Sequence, residues 1–205
     1  GFLLRKPLLY NKVVMKNIDS KTDKELVELA IKDDQYFEYI IERYEAKLSR
    51  YIFRVYSLSR EAIEDILQEV FIKLYQNLND FDAQYSFSSW IYRIAHNTLV
   101  SYLRKNEHKN SPISIDDDST KKIIDFLPDK TDLVKEFEIK ESAEVVVKAL
   151  KEIPEKYREV LFLYYFESKS YKEIGAILRC SVNSVSVLMN RAKQKLKESV
   201  KIFNS

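Results

Sequence analysis

Residues 170–198, "SYKEIGAILRCSVNSVSVLMNRAKQKLKE", set short hydrogen-bonding side chains a few positions ahead of a row of cations. Ser170 and Glu173 have capping-box spacing, and Ile174, Ile177 and Leu178 follow at helical intervals. A short turn at Arg179–Cys180 leads to Ser181 as N-cap of a second helix, with Val182, Val185, Leu188 and Met189 turned inward. A helix-turn-helix of this kind offers the first residues of its second helix to base edges in the major groove. Asn183, Ser184 and Ser186 are the outward hydrogen-bonding groups, and Arg191, Lys193, Lys195 and Lys197 suit phosphates. An αα-hairpin with a solvated basic face is the plainer reading. The coincidence of cap, turn, small polar residues and downstream cations favours DNA.

Two other stretches carry polar residues in patterned positions. In "DILQEVF", Asp65, Gln68, Glu69 and Ile72 recur at i, i+3, i+4, i+7, on a face apart from the Ile66, Val70, Leu74 stripe. A carboxylate–amide face with one apolar member suits a basic partner helix; a solvated stripe would look the same. In "FSSWIYRIAHNTLVSYLRK", residues 87–105, Trp90, Ile91, Ile94, Thr98 and Tyr102 fit a core stripe. Tyr92, Arg93, His96 and Asn97 fall outside it and are expected on the surface. Bond chemistry has little to work with: His96 and His108 lack spaced acidic or thiol partners, and Cys180 reads as a small apolar filler. Two glycines in the whole chain leave no phosphate loop. No catalytic residue, metal ligand or cofactor is expected.

The elements that must hold these groups are helical. Two Gly and four Pro in 205 residues, with abundant Leu, Ile, Glu and Lys, predict an all-α protein. Thr22 and Glu25 open one helix, and amphipathic runs cover Tyr36–Tyr56, Glu61–Leu78 after a Ser59 cap, and about Ser88–Lys105. Residues 106–135 lose periodicity and carry two Pro and the triplet Asp116–Asp118, so they read as a linker. Helical patterning returns from Glu136 to Lys151, then in "EKYREVLFLYYFE" behind Pro154, then over 171–178 and 182–200. The expectation is two small helical domains joined by a flexible linker, the second a helix-turn-helix: 1–18 an extension, 19–105 the first domain, 106–135 the linker, 136–205 the second.

Charge follows this division. Residues 1–18 carry four basic and no acidic groups; residues 19–108 carry 12 Lys/Arg against 16 Asp/Glu; residues 141–205 carry 12 against 8. Bulk charge therefore would not hold the first domain on a nucleic acid. No run approaches the roughly 20 apolar residues that span a bilayer, so no membrane insertion is expected. One Cys rules out an internal disulfide and suits a reducing, cytoplasmic setting. Met15 is read as the natural start, with residues 1–14 lying upstream of it.

"DILQEVFIKLYQNLNDFD", "FSSWIYRIAHNTL" and "YLRK", followed by "ALKEIPEKYREVLFLYYFESKSYKEIGAIL", "SVNSV" and "NRAKQKLK", resemble the bacterial sigma-70 family over about residues 22–200. With only two modules, the chain is most similar to the extracytoplasmic-function (ECF) group. The resemblance implies a first module (region 2) that docks on core RNA polymerase and melts the promoter −10 element. It implies a second (region 4) that binds the −35 element. Carried over to this sequence, Asp65, Gln68, Glu69, Phe71 and Ile72 would face polymerase. The loop "NDFDAQYSFSS" would capture a flipped −10 base, with Phe81, Tyr85 and Phe87 stacking or walling the pocket and Asp82, Gln84 and Ser86 reading an edge. Tyr92, Arg93, His96 and Asn97 would meet the adjoining strand, and Ser181, Asn183, Ser184, Ser186, Arg191 and Lys193 the −35 element. Core RNA polymerase and promoter DNA are the implied partners, with an anti-sigma factor a further one.

The second module departs from the family where Ser186 and Leu188 stand in place of frequent cations, which predicts weaker −35 phosphate contacts. The linker can bridge the two elements: thirty extended residues reach about 100 Å, against about 70 Å for 20 base pairs at 3.4 Å each. Two rival readings stay open on the residues alone. One is a stand-alone helix-turn-helix regulator; the other is a polymerase-binding protein that titrates core without initiating.

Overall fold

The computed structural model describes residue 18 and residues 20–106 and 143–203. The extension before Ile18 and all of the expected linker but Asn106 lie outside them, as do Glu136 to Ser142. Among the described residues there are helices and turns and no strand.

The first domain contains α1 (Asp23–Lys32), α2 (Phe37–Tyr56), α3 (Arg60–Gln76) and α4 (Phe87–Lys105). Its helix starts are set by side chains that satisfy otherwise unpaired amides. Thr22 Oγ1 accepts from the Glu25 amide at 3.3 Å while Glu25 Oε2 accepts from the Thr22 amide at 2.8 Å, the reciprocal pair predicted from the sequence. Ser59 Oγ caps α3 through the Ala62 amide at 3.2 Å, and Ser86 Oγ caps α4 through the Ser89 amide at 3.2 Å. On α2, Phe37, Ile40, Tyr44, Leu48, Tyr51, Ile52 and Val55 of the expected stripe are buried, and Ile41, its remaining member, is half-buried. Two helices begin or end a little away from expectation. A 3-10 turn at Asp34–Tyr36 precedes α2, and α3 stops at Gln76 because the Asn77 side chain donates to the Lys73 carbonyl at 2.7 Å.

The second domain comprises α5 (Ala143–Glu152), α6 (Glu155–Tyr165), α7 (Tyr171–Leu178) and α8 (Val182–Phe203). The last two form the helix-turn-helix. Ser170 and Glu173 make the second capping box, and α7 ends with Arg179 in the left-handed region at φ 54°. The turn is tight enough to require glycine inside α7. A Cβ on Gly175 would lie 2.8 Å from the Cys180 carbonyl oxygen, and that same backbone approach makes the Cys180 N–H to Gly175 carbonyl bond of 2.9 Å. Gly175→Ala is therefore expected to cost about 1–3 kcal/mol by overpacking, more than the ~1 kcal/mol that alanine gains in helix propensity. Urea unfolding with a midpoint at or above that of the unaltered chain would contradict this.

The two domains pack on each other. Helix α4 lies between α3 of its own domain and α7 of the other, and α2 lies against α6. This changes the phase of α4. Its buried set is Phe87, Ser89, Ile91, Tyr92, Ala95, Thr98 and Leu99, whereas Trp90, Ile94 and Tyr102 are only half-buried. The expected stripe was centred one step away, because a helix covered on two sides has no single apolar face to read.

Candidate nucleic-acid and protein interfaces

Three surfaces collect the residues singled out by sequence. The first is the outer face of α3. Asp65, Gln68 and Ile72 are exposed in a row, Ile72 by 51 %, and Tyr75 extends the row by one turn at 46 %. Glu69 sits at its border, bridged to Lys73 at 2.7 Å, while Lys73 also donates to Thr98 Oγ1 at 3.2 Å. Phe71 is not on this face. It is buried in the core, so its expected contact with a partner is corrected to a structural role. Tyr75 was absent from the sequence reading, although its i+3 spacing from Ile72 was the available signal. Its ring packs edge-on against Phe37, 5.1 Å between centroids.

The second surface is a cleft of about 570 Å³ beside the start of α4, walled by Phe81, Tyr85 and Trp90, edged by Asp82, Gln84, Ser86 and Arg93, and bounded on its far side by Lys172, Glu173 and Ala176 of α7. The loop is built locally: Asp82 Oδ1 accepts from the Gln84 amide at 2.9 Å and its carbonyl from the Tyr85 amide at 3.0 Å. That turn turns Tyr85 outward, leaving it 70 % exposed. Phe81 stacks edge-on with Phe87 at 5.2 Å and tilted on Trp90 at 5.3 Å. Phe87 itself is buried, so it supports the wall from behind and is not available for stacking. Tyr92 is also corrected: it is fully buried, edge-on to Tyr51 at 5.4 Å and under the Lys169 ammonium at 5.4 Å from its ring. Arg93, His96 and Asn97 are half-exposed on the same helix. Trp90, expected to be mostly structural, lines the cleft.

The third surface is the outer side of α8. Ser181 Oγ accepts from the Ser184 amide at 3.1 Å, as an N-cap should. Asn183, Ser184 and Arg191 are exposed, and Ser186 is half-buried. Val185 and Met189 point into the core as expected, but Val182 is 48 % exposed and Leu188 half-buried, so Val182 is corrected to an outward position. Lys193 lies 5.9 Å over the Tyr165 ring. Val187, 48 % exposed, and Asn190 complete the outward stripe with Asn183, at i+4 and i+7. Their spacing was the signal that sequence reasoning passed over.

Electrostatics at the domain junction are unusual. The Glu159 carboxylate, 4 % exposed, accepts from the hydroxyls of Tyr51 and Tyr56 and from His96 Nδ1, the last two at 3.1 and 2.8 Å. Burial first, then the Glu159 charge, holds the Tyr51 phenol well above its ordinary range. Lys169 is buried too, and desolvation pulls its ammonium below the usual lysine range against the opposing pull of Glu173 and Glu167. Among the described residues no His, Cys, Asp and Glu cluster is arranged to hold a metal ion, and no helix is long and apolar enough to cross a membrane.

Comparison with known proteins places the chain in one class. Residues 40–109 match the model of Sigma-70 region 2, and residues 143–196 match Sigma-70, region 4. The ECF RNA polymerase sigma factor SigW of Bacillus subtilis is 32 % identical over 176 residues, covering 82 % of this chain and 91 % of that protein. The chain belongs to the sigma-70 family. Its group within that family is the extracytoplasmic-function one: the ECF RNA polymerase sigma-E factor of Haemophilus influenzae is also similar, 29 % identical over 87 % of this chain and 95 % of its own. CnrH, solved in complex with the cytosolic domain of CnrY, shares the fold with a TM-score of 0.63 at 20 % identity, covering 88 % of this chain and 97 % of its own. The sigma factor RpoE of Bartonella quintana, solved with the anti-sigma factor NepR, does so at 0.58 and 18 % identity, over 81 % and 97 %.

Proposed function

We propose that this chain is the promoter-reading subunit of an RNA polymerase holoenzyme, working in the cytoplasm and carrying out no bond chemistry itself. The outer face of α3, Asp65, Gln68 and Ile72 with Tyr75, docks on a basic surface of core polymerase. The cleft at Phe81, Tyr85 and Trp90 takes an unstacked −10 base, and Asp82, Gln84 and Ser86 offer hydrogen bonds to its edge. Extruding that base costs a few kcal/mol, and each aromatic contact returns about 1–3 kcal/mol. Arg93, His96 and Asn97 follow the strand beyond it.

The outward stripe of α8 reads the −35 element. Asn190 and Asn183 have amides suited to an adenine edge, and the exposed methyls of Val187 suit a thymine methyl. Arg191 holds a phosphate. An anti-sigma factor is a further partner, in keeping with the complex in which the similar Bartonella quintana fold was solved. The observation that carries this reading is the presence on one chain of both matched regions.

Run-off transcription with core polymerase and a promoter mapped by overexpression tests it. Transcripts are expected only when this chain is added. The half-buried Ser186 and the Lys193 cation held over Tyr165 favour one competing reading, a titrator of core. Core binding with no transcript at any mapped promoter would decide for it.

A further inference from the structure

The cleft beside α4 carries more than an unstacked base needs. Its far side is α7, and Lys172 there lines the same space as Arg93 of α4. Lys172 is exposed and Arg93 half-exposed, and among the described residues neither has an ion-pair partner. The third charge on that side, Glu173, is already engaged. Its Oε1 accepts from Ser89 Oγ at 3.0 Å, and its Oε2 from the Ser170 amide at 2.9 Å and the Ser170 hydroxyl at 2.7 Å. Two cations from different helices are thus left to share one anion, and a guanidinium fork with an ammonium suits a phosphate chain.

Charge and ring surface are graded along the cleft. Asp80, Asp82 and Gln84 lie at its loop end, Tyr85 and Trp90 follow, and Arg93 stands further along α4. From the Ser86 cap to Arg93 the helix rises about 10 Å, so a base alone does not meet both ends. Tyr85 is 70 % exposed and Trp90 half-buried, and both offer ring surface to a flat ligand. Asp80 is exposed, and Asp82 spends one oxygen on the Gln84 amide and keeps the other for a ligand donor. The volume of about 570 Å³ falls within the roughly 300–1,000 Å³ of small-ligand sites.

We propose that this cleft binds a free nucleotide, a nucleoside diphosphate whose base carries an amino group. Its phosphates lie between Arg93 and Lys172, its ring rests on Tyr85 and Trp90, and its amino edge meets Asp80 and Asp82. Ionised carboxylates only accept hydrogen bonds, so they favour guanine, adenine or cytosine over uracil. An inorganic anion meets the two cations and leaves the rings bare; a nucleoside meets the rings and leaves the cations unpaired. Lys172 belongs to neither promoter-reading surface, so this binding does not rest on that function. A nucleotide seated there fills the space an unstacked −10 base would take, and the two exclude each other.

Isothermal titration calorimetry of the full chain with GDP tests it. A dissociation constant below about 1 mM is expected, with guanosine and pyrophosphate each at least about tenfold weaker and UDP about fivefold weaker. Lys172→Glu and Arg93→Glu each turn an attraction into a repulsion and should weaken GDP binding at least about tenfold. Neither side chain has an ion pair to lose, so the melting temperature of both variants is expected to hold. Lys148→Glu, an equal change of charge at an exposed position on α5, should leave GDP binding as it was. Four results would each overturn the proposal: no heat of binding up to that GDP concentration, pyrophosphate as tight as GDP, UDP as tight as GDP, or a loss from Lys148→Glu equal to that from Lys172→Glu.

Discussion

Asp65→Arg combined with Ile72→Arg is expected to weaken binding to core polymerase by at least ~30-fold, with helix content and melting temperature unchanged. Both side chains project into solvent from α3, so their replacement leaves the Ile66, Val70, Leu74 core alone. The expected size follows from two sources. Losing an apolar anchor at the centre of an interface costs about 2 kcal/mol or more, and like charges brought together on binding add several more. Pull-down or fluorescence binding to core measures it. Loss of less than about threefold would move the docking face away from α3. Tyr75 is a poorer probe, because its ring also packs on Phe37 and a change there would disturb the fold.

Arg158→Ala is expected to destabilise the chain by about 3–5 kcal/mol, because each buried carbonyl left unsatisfied costs about 1–3 kcal/mol. The guanidinium, 8 % exposed, donates to the carbonyls of Val55 at 2.7 Å, Lys151 at 2.8 Å and Ile153 at 3.0 Å. Those carbonyls end α2 in one domain and α5 in the other, so one side chain satisfies helix ends on both sides of the junction. Alanine leaves all three without that donor. Lysine presents a point charge where a planar fork is needed, and Arg158→Lys should recover only part of the loss. A drop in urea midpoint with an unchanged slope is the expected signature; a loss below about 1 kcal/mol would mean that water replaces the guanidinium cheaply.

Much of the local structure could be read from residues. Both capping boxes, the Ser59 cap and the core stripes of α2 and α3 follow from side chains within a few positions of one another. What escaped was set by distant partners. Tyr92 reads as outward only if α4 has one covered side; the second domain supplies another, and the whole phase shifts. Glu159, Arg158 and Lys169 belong to residue types that are seldom buried, and nothing near them in sequence announces Tyr51, Val55 or Ser88. On α8 the reason is different. Val182 reads as inward because it is apolar, whereas the spacing of Val187 and Asn190 from Asn183 marks those three as one outward face.

The Lys193 ammonium over Tyr165 bears on how the second domain could hold DNA at all. With Lys193 resting on a ring, Arg191, Lys195 and Lys197 are the exposed cations beside it on this helix that could displace condensed ions from a phosphate backbone. Affinity built on those three would fall with salt, though less steeply than if all four cations took part. On the promoter-reading function proposed above, polymerase would bring the second domain to its place, and choice among promoters would fall to the shape and base edges met on arrival.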